Sequence, residues 1–131
     1  MKKIVNSDKA PKPVGPYNQA VIFNDIIFTA GQISINPETQ EFENGTIEEQ
    51  TLRIIQNLDA VLSACGSGFD NILKVTIFLK DMQDFSKVNE IYAKYFNKEA
   101  PARSTVAVAA LPKGALIEME LIAYINNTNK Q

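Results

Sequence analysis

The chain has 131 residues, of which 45% are hydrophobic, with a net charge of −2 and a pI near 5.1. That length suits one domain over residues 1–131, able to bury roughly two thirds of its unfolded surface. The acidic balance argues against a general nucleic-acid binder, which needs a basic stripe, and the apolar runs are far shorter than a membrane span.

Met1-Lys2-Lys3-Ile4-Val5 begins with basic residues, but Asn6-Ser7-Asp8-Lys9 interrupts any signal-peptide core, so a cytoplasmic protein is expected. There is no histidine, no tryptophan and one cysteine. A lone cysteine excludes an internal disulfide. The absence of histidine argues against a zinc, copper or haem site and deprives a serine or cysteine nucleophile of its usual base. Chemistry here must rest on carboxylates, arginine, backbone groups and water. Cys65 reads as a small buried apolar residue.

Residues 8–16 carry three prolines and end in Gly15-Pro16, an ordered lead-in. Ala20–Phe23 and Ile26–Thr29 are β-rich runs about Asn24-Asp25, a tight-hairpin signal. Gly31-Gln32-Ile33-Ser34 is expected to continue the second strand, before a turn at Asn36-Pro37-Glu38-Thr39. Thr46-Ile47-Glu48-Glu49 is a capping box. After it Leu52, Ile55, Leu58, Leu62 and Cys65 recur at helical spacing until Gly66 and Gly68, predicting a helix over about 47–65.

Residues 71–80 alternate, with Leu73, Val75, Ile77 and Leu79 on one face and Lys74, Thr76, Phe78 and Lys80 on the other, as in a strand. Asp81 or Asp84 caps a second helix that turns Phe85, Val88, Ile91, Tyr92, Tyr95 and Phe96 inward and stops before Pro101. Strands near 104–110 and 115–125 follow, joined through Leu111-Pro112-Lys113-Gly114. The order is β-β-β-α-β-α-β-β. Two amphipathic helices cover one face of such a sheet, which gives an α+β two-layer domain.

The other face matters as much. If Ile117, Met119, Leu121, Ala123 and Ile125 face the helices, then Leu116, Glu118, Glu120, Ile122 and Tyr124 face away, beside Phe78. That face is too apolar for bulk water, and a homo-oligomer packed through open sheet faces is expected.

Glu118 lies on this face and must be paired, hydrogen-bonded or functional. Glu120 follows two residues on, roughly 7 Å away. The two suit acid–base work, or they are solvated residues of a sheet edge. Arg103, in Pro101-Ala102-Arg103-Ser104-Thr105 at the mouth of an apolar strand, suits two-point binding of a carboxylate. It equally suits an ion pair with a glutamate of another subunit, and its residue type alone favours the structural role. Tyr17, in a stiff Gly15-Pro16-Tyr17-Asn18 turn, either lids a pocket or packs its ring. Gly31 marks a bulge or a close backbone approach. Asn89, next to Val88, flanks the core or is a solvated helix residue.

Taken in order, Ala10-Pro11, Gly15-Pro16-Tyr17, Ala30-Gly31-Gln32-Ile33, Lys74–Phe78, Asp84-Phe85 with Val88-Asn89, Pro101–Ser104, and Leu111-Pro112 followed by Ile117-Glu118-Met119-Glu120 resemble the RidA/YjgF family of reactive intermediate deaminases over nearly the whole chain. The resemblance implies a chorismate-mutase-like fold and a homotrimer with its sites at the subunit interfaces. It implies cofactor-independent hydrolysis of enamines and imines, such as 2-iminobutanoate and 2-iminopropanoate, to 2-oxo acids and ammonia. Arg103 would grip the substrate carboxylate and Glu118 would position and activate the attacking water. Tyr17 would pack beside the ligand, Gly31 would offer its N–H, and Asn89 would support the pocket. Thr105 stands where many members have cysteine, so a thiol role is ruled out, although its backbone N–H still suits ligand contact. Ala30 stands where many have serine. Family links to purine regulation and translation imply an alternative, a regulator that binds a 2-oxo acid without turnover. Chorismate mutase activity follows from fold analogy alone.

Overall fold

A computed structural model of the chain describes residues 1–126. Six strands, β1 (Lys3–Val5), β2 (Ala20–Phe23), β3 (Ile26–Thr29), β4 (Ile72–Leu79), β5 (Ala102–Ala107) and β6 (Ile117–Tyr124), form one mixed sheet in the order β1-β2-β3-β6-β4-β5. Two helices, α1 (Ile47–Ala64) and α2 (Phe85–Tyr95), pack on each other and on the sheet. This is the expected α+β arrangement and element order. Every strand pair is antiparallel except β4–β5, which the α2 crossover makes parallel. No helix among the described residues is long and apolar enough to cross a membrane.

Local chemistry accounts for the boundaries. Asn24 and Asp25 both adopt positive φ, 49° and 65°, the mirror-image turn that matches strand twist and joins β2 to β3. The capping box forms in full: Thr46 Oγ1 accepts from the Glu49 N–H at 3.1 Å, and Glu49 Oε1 accepts from the Thr46 N–H at 2.9 Å. At the far end Gly66 has φ +77°, and the Ser67 N–H reaches back to the Leu62 carbonyl at 2.9 Å, closing a Schellman turn. Asp81 does its capping one step early. Its carboxylate takes the Gln83 N–H at 2.9 Å and starts a single 3₁₀ turn over Met82–Asp84 that leads into α2, while Asp84 makes no side-chain cap.

The core lies between helices and sheet. Ile54, Leu58, Val61 and Leu62 of α1 meet Val75, Ile77 and Leu79 of β4 and Ile117, Met119, Leu121 and Ala123 of β6, all nearly fully buried. Cys65 is buried there too, and burial pushes its thiol pKa upward, which makes it a packing residue.

Four expectations need correction. Leu73 is exposed, because a register shift between Ile72 and Lys74 against β6 turns Ile72 inward instead. Leu52 and Tyr95 are also exposed, as the buried stripe of α1 runs through Ile47, Thr51, Ile54 and Leu58 and that of α2 ends at Tyr92. Residues 31–34 do not continue β3; only Gln32 returns, in an isolated bridge to Met119. Finally, β5 starts at Ala102, so Arg103 lies inside the strand and not at its mouth.

The face away from the helices is apolar, as expected. Ile4, Val21, Phe28 and Ile122 form one cross-strand row over four strands, and Phe23, Ile26 and Tyr124 form the next. Ile4, Phe23 and Phe28 keep about half of their surface in water, at 54%, 49% and 48%, which exceeds what scattered single exposures explain.

Candidate functional site

The irregular stretch after β3 builds the site. Between the pairs Phe28–Ile122 and Gln32–Met119, the β3 side advances four residues while β6 advances three, so the chain bulges at residues 29–31. Thr29 repairs the ladder: its Oγ1 accepts the Leu121 N–H at 3.0 Å. Gln32 then re-enters through reciprocal backbone bonds with Met119 of 2.8 and 3.1 Å. The bulge carries Gly31 across to the Glu118 side chain, so Gly31 is both a bulge residue and a point of close approach.

The loop before β2 supplies a wall. Buried Gln19 ties it down: its Oε1 accepts from the Ser7 N–H at 2.6 Å and its Nε2 donates to the carbonyls of Ser7, Ala10 and Pro11. Tyr17 projects from this loop half-exposed, its hydroxyl accepting the Val14 N–H at 3.3 Å. Together Tyr17, Pro11, Ile33, Pro112, Gly31 and Glu118 line a pocket of about 420 Å³, which is within the usual range for a small-molecule site.

Glu118 is half-buried here and accepts no hydrogen bond from any described residue. Burial first, and the nearby Glu120 charge second, push its carboxyl pKa above the ordinary value. Glu120 lies on the same face but is exposed. The Gly31 N–H also donates to no described residue. A raised carboxyl and a free N–H therefore share one apolar pocket.

The remaining candidates gather elsewhere. In the parallel ladder Arg103 pairs with Val75 and Thr105 with Ile77, both core residues, so Arg103 and Thr105 point to the helix side of the sheet. Arg103 Nη1 donates to Asn89 Oδ1 at 2.8 Å, and its guanidinium lies 4.6 Å from the Tyr92 ring centre and 5.3 Å from that of Phe85. No carboxylate among the described residues forms an ion pair with it; the single ion pair found there is Arg53–Glu43. Thr105 Oγ1 and the Tyr92 hydroxyl are buried without partners.

The chain thus brings together Tyr17, Gly31 and Glu118, and separately Arg103, Asn89 and Thr105. It does not unite the two groups: Glu118 faces Phe78 on the open face, and Arg103 is on the other side of the sheet. The reading of the sequence missed Tyr92 and Phe85 as supports of Arg103, having assigned them only to the core. The signal was present, since Phe85, Asn89 and Tyr92 stand four and three residues apart and so share one helix stripe. Among the described residues, no three His, Cys, Asp or Glu side chains converge to hold a metal ion.

Known proteins share this architecture. The family model described as Endoribonuclease L-PSP matches residues 7–125. A RutC family protein of Pyrococcus abyssi is 51% identical over 123 residues, 94% of this chain and 97% of its own. The chloroplastic Reactive Intermediate Deaminase A of Arabidopsis thaliana is 46% identical over 124 residues, 95% of this chain and 66% of its own. Among solved structures, Escherichia coli TdcF with bound serine superposes with a TM-score of 0.89 at 36% identity, over 95% of this chain and 99% of that one. On the strength of matches that run almost from end to end, the chain belongs to the RidA/YjgF family.

Proposed function

We propose that the protein is a cofactor-independent deaminase that hydrolyses short 2-imino acids, such as 2-iminobutanoate and 2-iminopropanoate, to 2-oxo acids and ammonia. The observation that carries this reading is the Glu118 carboxylate in the pocket, free of internal donors and raised in pKa beside the unused Gly31 N–H. Such a group takes a proton from water near neutral pH more readily than an ordinary carboxylate.

The working site would need a second copy of the chain. Arg103 is on β5, an edge strand, and Glu118 is on the open apolar face. A neighbour's β5 edge laid against that face would bury its hydrophobic rows and bring a guanidinium to the pocket. A closed ring of three such contacts gives a homotrimer with three interfacial sites.

In that site Arg103 of one subunit holds the substrate carboxylate by two parallel hydrogen bonds. The protonated imine carbon is already electrophilic. Water adds to it, forming the C–O bond, as Glu118 of the next subunit accepts the water proton. Glu118 returns that proton to nitrogen, the C–N bond breaks and ammonia leaves; the remaining hydroxyl proton passes to Glu118 as the C=O bond forms, and the departing ammonia carries it away as ammonium. The Gly31 N–H donates to a substrate oxygen, and Tyr17 covers the apolar side.

The test couples the protein to a threonine dehydratase reaction. The expected outcome is faster release of 2-oxobutanoate and less imine for semicarbazide to trap. An Arg103→Ala variant as effective as the parent would sink the mechanism. Tight 2-oxobutanoate binding with no turnover by the parent would establish the regulator instead, and turnover of chorismate would point to the fold-analogous activity.

A further inference from the structure

The backbone at Gly31 does not itself require glycine. Its φ lies outside the left-handed region, unlike those of Gly15, Gly66 and Gly114. Space is what requires it. A Cβ added at Gly31 would overlap Glu118 Oε2, and it would stand 2.8 Å from Glu118 Cδ and 3.2 Å from Glu118 Cγ. The three nearest atoms all belong to this one side chain. The carboxylate therefore occupies the volume that a side chain at position 31 would fill.

Two further contacts fix both halves of the arrangement. On the Gly31 side, the reciprocal Gln32–Met119 bonds lock the backbone one residue away. On the other side Ile117 and Met119, which flank Glu118, are fully buried, so the β6 backbone cannot slide to relieve a clash. The flexible end of Glu118 is the part able to move. Because Glu118 lines the pocket and is only half-buried, a displaced carboxylate is expected to gain water.

We infer that Gly31 is a positioning residue whose missing side chain sets where the Glu118 carboxylate stands and how deeply it is buried. Its importance for catalysis rests on the deaminase reading above; the geometric relation does not. The same absence keeps the carboxylate close to the free Gly31 N–H, so that a proton acceptor and a hydrogen-bond donor meet the ligand from one spot.

The experiment makes Gly31→Ala in the parent and in a Glu118→Ala background. Thermal unfolding, a carbon-13 NMR titration of the Glu118 carboxyl, and kcat and KM on 2-iminobutanoate are then compared. In the parent background, Gly31→Ala should lower the Glu118 titration midpoint toward the ordinary carboxylate range, as the displaced group gains water. It should reduce kcat on the order of 10-fold to 100-fold, the usual effect of misplacing a reacting group by about an ångström, with KM little changed. It should also lower the unfolding temperature in the parent but not in the Glu118→Ala background, where the slot is empty. An unchanged midpoint, or an equal loss of stability in both backgrounds, overturns the inference. If the parent itself fails to turn over the imine, the deaminase reading fails, while the titration and unfolding arms still decide the role of Gly31.

Discussion

Glu118 and Arg103 stand on opposite faces of one sheet, on strands β6 and β5 with β4 between them. Among the described residues neither forms an ion pair. The β4–β5 register fixes this separation: Arg103 aligns with Val75 and points toward the helices, whereas Glu118 aligns with Phe78 and points away. A rotamer change cannot carry a side chain through a sheet. The proposed site, which uses both residues, would therefore draw them from two chains.

Complementation between inactive subunits tests that conclusion. Arg103→Ala and Glu118→Ala are each expected to abolish imine hydrolysis when expressed alone. Co-expressed, they should recover activity, because random assembly places an intact Arg103 beside an intact Glu118 at about a quarter of the interfaces. The assay is 2-oxobutanoate release by the mixed protein after size-exclusion chromatography. Recovery no greater than the sum of the separate variants would show that both residues serve from the same chain.

The pH dependence of turnover follows from the environment of Glu118. Burial and the Glu120 charge both raise its carboxyl pKa, and the mechanism requires the carboxylate. Activity should therefore rise with pH through a midpoint above the ordinary glutamate value. Glu120→Gln removes the like charge and should move that midpoint down, though only part of the way, because burial is the larger cause. A kcat–pH profile of the two proteins checks both the direction and the ordering of causes.

Tyr92 offers a test of the Arg103 support. Its ring lies under the guanidinium while its hydroxyl is buried without a partner. Tyr92→Phe keeps the ring and removes an unsatisfied polar atom, so its stability should equal or exceed that of the parent by about 1 kcal/mol. Tyr92→Leu removes the ring face and should raise KM more than it lowers kcat, as Arg103 loses its rest position and binds the carboxylate less well. Chemical denaturation and steady-state kinetics separate the two effects.

Much of this was legible in the residues because the signals were local. The Thr46–Glu49 capping box, Asn24-Asp25, and the alternation from Val75 to Leu79 each report a structure set by near neighbours, and each formed as expected. The errors fall where long-range register decides. Leu73 was misplaced by a bulge against β6, and residues 31–34 left the β3 ladder because of a second bulge. For the site, alternation along β6 placed Glu118 on the open face, as the structure shows, whereas Arg103 was singled out for the site by the resemblance and its face depends on the parallel β4–β5 alignment, which periodicity within one strand does not reveal. The use of Gly31 was half visible: a glycine in a strand pattern signals close approach, but only the fold shows that Glu118 makes it.

The capping box itself permits a stability prediction away from the site. Thr46→Ala removes the acceptor for the Glu49 N–H and leaves Glu49 with half of a reciprocal pair. The expected cost is about 1 kcal/mol, read as a lower denaturation midpoint. Turnover should be unchanged, since neither residue lines the pocket.

Glu118 should also reveal a conflict between activity and stability. Its folded-state pKa is raised above the unfolded value, so the fold favours the neutral form. The stability linked to it is fully present below the unfolded pKa and is lost as pH rises through the folded pKa. Where pH exceeds that folded-state pKa, the parent holds a charged carboxylate where a neutral group would sit more favourably. Glu118→Gln, nearly isosteric and always neutral, should unfold at a higher temperature than the parent near pH 7 while losing deaminase activity. The gap should close as pH falls below about 4, where the parent's carboxyl is protonated in both folded and unfolded states. Thermal melts of the two proteins across that range supply the measurement. A gap that is constant with pH, or one that widens on acidification, would mean that Glu118 is not held above its ordinary pKa, and would remove the electrostatic basis for its role as the proton acceptor.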